Sequence, residues 1–86
     1  MAEDLVGYGK AVRQARQAAA MTVRELANRI GISYAYVSII ELGVNPTTNK
    51  PAKPSREIGL ALARKLSLDV DDSLALTGHE PLDSSS

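Results

Sequence analysis

Cysteine is missing from this 86-residue chain, and so are phenylalanine and tryptophan. Without thiols there is no disulfide and no thiolate metal site, which suits a reducing compartment. One histidine, His79, cannot build a zinc site alone. With three tyrosines as the only aromatics, the core must be made of Leu, Ile, Val and Ala. That palette favours a compact helical bundle over a sandwich. No apolar run approaches the ~18 residues of a membrane span, and Met1-Ala2-Glu3-Asp4 lacks the basic start of a secretory leader. The expectation is a cytoplasmic protein with no membrane partner. No glycine-rich phosphate loop is present, and Asp69, Asp71 and Asp72 lack the spacing and turn glycine of a calcium loop. No enzymatic activity, cofactor, metal or small-molecule ligand is therefore expected.

Net charge is absent as well, since ten Lys and Arg balance ten Asp and Glu. Their distribution is uneven. All ten cations lie between Lys10 and Lys65 with only Glu25, Glu41 and Glu57 among them, a local net of +7. The other acids gather toward the two ends. A basic body between acidic ends suits a phosphate-bearing partner, whatever the global sum.

What is present is a set of helix signals. Leu5, Tyr8, Val12, Ala15 and Ala19 recur at spacings of three and four, which predicts a helix over 5–19. Thr22 with Glu25 has capping-box spacing, and Leu26, Ala27 and Ile30 then mark one face of a helix over 22–30. Gly31 is the residue best able to end that helix in a left-handed conformation. Ser33 can cap a third helix over 33–42, with Val37 and Ile40 inward and Gly43 as its stop. Small Ala27 lets that helix cross closely. Three prolines then punctuate a loop from Val44 to Pro54 and block helix and central strand alike. Ser55 can cap a fourth helix over 56–66, with Ile58, Leu62 and Leu66 inward. Asp69 can cap a short fifth over 70–76. Two short helices joined by a glycine turn have the geometry of a helix-turn-helix, whose second helix is offered to the DNA major groove.

The order of these elements resembles the λ-repressor/Cro-like, or XRE, helix-turn-helix family. The residues that carry the resemblance are Tyr8-Gly9, Val12-Arg13, Arg16, Met21-Thr22, Glu25-Leu26-Ala27, Gly31-Ile32-Ser33, Tyr36 to Gly43, Asn45-Pro46 and Ala61 with Lys65-Leu66. They span about residues 8–78. The resemblance implies an all-α, five-helix DNA-binding domain. Three departures stand out: Val23 where the family commonly has glutamine, Ala20 where it often has glycine, and a longer loop after Gly43.

Ser33, Tyr34, Ala35, Ser38 and Ile39 fall on the outward face of the third helix, and the resemblance makes them base-edge readers. The serines can exchange hydrogen bonds with base edges, and Ala35 and Ile39 can touch thymine methyl groups. Lys50, Lys53 and Arg56 are the main phosphate candidates, with Thr22, Asn28 and the hydroxyl of Tyr36 beside them. Arg24, Arg29, Lys10 and Arg13 rank lower, because surface charges are usually just solvated. For Arg16 and Glu41 the resemblance implies a structural ion pair between the first helix and the end of the third.

Together these readings assign residues 1–78 to one domain and 79–86 to a flexible tail or linker. The partner expected is double-stranded DNA, bound by a homodimer acting as a transcriptional repressor. Two alternatives use the same residues: an antitoxin or adaptor that grips another protein, and the DNA-binding domain of a larger sensor regulator. Leu74 and Leu76 fit either a dimer contact or the monomer core.

Overall fold

The computed structural model describes residues 3–80. Five helices follow one another: α1 (Leu5–Ala18), α2 (Val23–Ile30), α3 (Tyr34–Leu42), α4 (Arg56–Leu66) and α5 (Val70–Leu76). No strand occurs among the described residues. The loop between α3 and α4 instead carries one isolated antiparallel bridge, Val44 to Pro51.

Each helix begins where a short polar side chain can take an unpaired amide. Thr22 accepts from Glu25 N–H while the Glu25 carboxylate accepts from Thr22 N–H, a complete capping box on α2. Ser33, Ser55 and Asp69 cap α3, α4 and α5 in the same manner. Asp4 does so for α1, a cap that the apolar spacing alone did not reveal. The first helix stops at Ala18, so Ala19 lies beyond the apolar face it was expected to extend and is exposed. Gly31 ends α2 at φ 75°.

The core joins Tyr8 and Val12 of α1, Leu26 and Ala27 of α2, Val37 and Ile40 of α3, and Leu62 and Leu66 of α4. Helix α3 is packed against both α1 and α2, while α4 covers α2 and α1 from the other side. Leu74 of α5 is 1% exposed and Leu76 is packed against the cluster, so this helix completes the core and Leu74 is unavailable to a partner. The backbone of Asp4 also donates to the carbonyl of Leu76, tying the start of α1 to the end of α5.

One glycine sets how close α1 comes to α3. A Cβ at Gly9 would sit 2.4 Å from the carbonyl oxygen of Glu41 and 2.5 Å from that of Ile40. Any larger residue there would push out the C-terminal end of α3.

His79, expected in the tail, is held instead. Its ring Nε2 lies 2.8 Å from the carbonyl oxygen of Pro54, and its N–H donates to the carbonyl of Leu74. The remaining tail assignment, Pro81 to Ser86, falls outside the described residues.

Candidate nucleic-acid interface

Helix α3 hides Val37 and Ile40 and turns Tyr34, Ala35, Ser38, Ile39 and Leu42 the other way. Ser33, Tyr34 and Ala35 at its N-terminal end are exposed, with Tyr34 at 51%. Ser38 and Ile39 are half-buried. Leu42, 55% exposed, continues the face one turn beyond Ser38. Sequence reasoning missed it, although a spacing of four from Ser38 places it on that face. Hydrogen-bonding side chains cluster at the N-terminal end of the face, and apolar ones at its side and far end.

Two clefts flank α3. On the α2 side, Arg24, Ala27, Asn28, Ile32, Ser33 and Tyr34 line one depression. On the α1 side, Arg13, Arg16, Ser38, Glu41 and Leu42 line another. The exposed face of α3 therefore runs between Arg24 and Arg13, two cations ranked low from sequence. Nothing in their spacing separates them from solvated surface arginines; only the packing of α1 and α2 against α3 brings them there.

The frame holding this face is polar where α1 meets α3. Arg16 Nε donates to Glu41 Oε2 at 2.6 Å, and Nη2 donates to Oε1 at 3.0 Å. Arg16 Nη1 also donates to the carbonyl of Met21 at 2.9 Å, fixing the turn into α2. The hydrogen bonds to Glu41 and its charge raise the Arg16 pKa above its ordinary value, against the opposing effect of burial. Where the family commonly has glutamine, Val23 packs against the core instead. The turn occupied by Ala20 is kept at φ 57°, a left-handed conformation unusual for alanine.

The phosphate candidates divide. Asn28 is exposed on the α2-side cleft. Tyr36 is half-buried against the core. The Thr22 amide donates to the Glu25 carboxylate and the Thr22 hydroxyl oxygen accepts from Glu25 N–H. Hydrogen bonding from Thr22, its amide foremost, holds that carboxylate ionised to lower pH. That carboxylate places a negative charge at the start of α2, where a phosphate would have to approach. Lys50 is exposed on a closed loop: Asn45 N–H donates to Lys50 O at 2.8 Å, and Asn45 Oδ1 accepts from Thr47 N–H at 2.9 Å. Lys53 stands 3.8 Å from Glu3, with both side chains about half exposed. Arg56 is half-buried at the start of α4 and already has an interaction within the fold.

The order of elements, the three-residue turn between α2 and α3, and the match of residues 12–72 to the helix-turn-helix family agree. The chain belongs to the XRE/Cro-like helix-turn-helix family. No curated protein and no solved structure matches it. Membership in this helix-turn-helix family implies DNA binding. In helix-turn-helix domains generally, the second helix of the motif is the one offered to the groove. Among the described residues no helix is long and apolar enough to cross a membrane, and no group of side chains could hold a metal ion.

Proposed function

We propose that the chain is a cytoplasmic transcriptional repressor that reads operator-like duplex DNA as a two-fold dimer. The observation that carries this is the exposed N-terminal end of α3, with Arg24 and Arg13 on either side of the helix. Ser33, Tyr34, Ala35 and Ser38 contact base edges, and Ile39 lies at the margin of the groove. Lys50, Asn28 and the Tyr36 hydroxyl contact phosphates, while Lys53, Arg56 and Thr22 flank them. Repression follows by occlusion of a promoter, and the protein performs no chemistry of its own.

Dimerisation follows from the amount of sequence one helix can read. A single α3 spans only a few base pairs, so two half-sites about one turn (~34 Å) apart are needed for useful discrimination. Selection of bound duplexes from a random pool, with the stoichiometry of each retained band, tests both parts. The expected result is an inverted repeat carrying two chains. A single half-site carrying one chain would overturn the dimer, and a pool that yields no preferred sequence would overturn operator reading.

A further inference from the structure

Apart from Tyr34, the outward face of α3 carries short or apolar side chains, and the strongest donor near its reading end comes from another helix. Arg24 of α2 places its Cζ 4.5 Å from the centre of the Tyr34 ring. Tyr34 is the first residue of α3 and stands between exposed Ser33 and Ala35. We propose that Arg24 and Tyr34 act as one reading unit, in which the tyrosine ring holds the guanidinium for a bidentate contact with a guanine. The proposal rests on the DNA-reading function above and assigns its main source of sequence preference to α2.

Three observations support it. First, a guanidinium attracted to an aromatic ring through its face keeps its N–H edge for hydrogen bonding, which an ammonium cannot do in the same planar manner. Among the described residues no acceptor takes the Arg24 donors, and the ring is the guanidinium's one partner there. Second, the side chain is positioned before DNA arrives, so less rotamer freedom is lost on binding. Third, the location suits a base more than a phosphate. The N-terminal residues of the second motif helix enter the major groove, and Arg24 is held against the first of them. There the O6 and N7 acceptors of guanine match the paired donors of arginine. Val23, packed against the core, offers no competing hydrogen bond from the start of α2.

The test uses the full chain and duplexes selected by the wild-type protein, with every G·C pair in the site changed in turn. Arg24→Ala is expected to lose on the order of 10–100-fold affinity for the selected site and to become indifferent at one G·C pair per half-site. Arg24→Lys should show the same indifference despite keeping its charge. Tyr34→Leu should weaken preference at that same pair, and the double variant Arg24→Ala/Tyr34→Leu should lose no more preference at that pair than Arg24→Ala alone. Both side chains are exposed, so thermal melting should change little in each variant. Equal loss on every duplex, restored by Arg24→Lys and accompanied by a lower salt slope, would make Arg24 a phosphate contact and overturn the unit. Unchanged preference in Arg24→Ala would also overturn it. If the wild-type protein selects no sequence, operator reading fails as a whole; if it does and the Arg24 variants select the same site, only the reading unit fails.

Discussion

Arg16 of α1 and Glu41 of α3 face each other as a two-point pair, 2.6 Å and 3.0 Å between their bonded atoms. The side chains are only 12% and 9% exposed, so the charges have given up most of their water. Removing one partner leaves the other charge desolvated, and the cost of breaking such a buried pair is about 3–5 kcal/mol. Glu41→Ala should therefore lower stability by about 3 kcal/mol, toward the lower end because some solvent remains. Denaturant midpoints measure this. Replacing both residues with apolar ones of similar volume should recover most of the loss. A cost below about 1 kcal/mol would assign the pair to the weak surface class.

Ala20 offers a gain in stability. It holds φ 57°, where a Cβ crowds the following carbonyl at a cost of roughly 1–2 kcal/mol. Glycine removes that strain but adds freedom to the unfolded chain, worth about 0.5–1 kcal/mol in the other direction. Ala20→Gly should therefore stabilise by roughly 0.5–1 kcal/mol. Because Ala20 is exposed, no packing is lost. A melting temperature at or below that of the wild type would contradict this balance.

Tyr8 is 1% exposed, and its hydroxyl has no hydrogen-bond partner among the described residues. Burial, with a smaller contribution from Tyr36, pushes its pKa up to about 12 from an ordinary value near 10. The neutral form is thus the one the fold favours. Its contribution is fully present below pH 10 and is lost as pH rises through 12, since the unfolded chain gives up the proton first. At about 1.4 kcal/mol per unit, the wild type should lose roughly 2–3 kcal/mol across that window relative to Tyr8→Phe. At pH 7 the phenylalanine variant should be no less stable, because it removes a buried hydroxyl and keeps the ring. Parallel urea titrations at pH 7, 10 and 12 check both statements; identical pH profiles would refute the first.

Much of this architecture is legible because it depends on local rules. Thr22 with Glu25, Gly31, Ser33 and Gly43 each act within one turn of their own position, so spacing alone locates α2 and α3. Asp4 acts just as locally, on Gly7 N–H, and was missed because no acidic or amide residue stands at the matching capping-box position to mark it. The interface was harder to read. Arg24 and Arg13 resemble any surface arginines until α2 and α1 are packed against α3. Arg16 and Glu41 are 25 residues apart, and only the family resemblance pointed to their pairing. His79 likewise looked like a tail residue because its partner, the Pro54 carbonyl, belongs to a distant loop.

Lys50 and Lys53 look alike in sequence, yet they differ in the fold. Lys53 shares its charge with Glu3 at 3.8 Å, whereas Lys50 is exposed on the closed loop and has no ion pair among the described residues. An exposed pair of this kind is worth at most about 1 kcal/mol, so Glu3 dampens Lys53 without locking it. Lys50→Ala should weaken binding to all duplexes and reduce the salt slope by about 0.9 log unit per tenfold change in salt. Lys53→Ala should reduce it by less than half as much. Glu3→Gln should tighten binding by roughly two- to five-fold at low salt, the range available from releasing one exposed pair. Fluorescence-anisotropy titrations at several salt concentrations give all three numbers. Equal slopes for the two lysine variants, with no gain from Glu3→Gln, would mean that Glu3 does not distinguish them at the DNA.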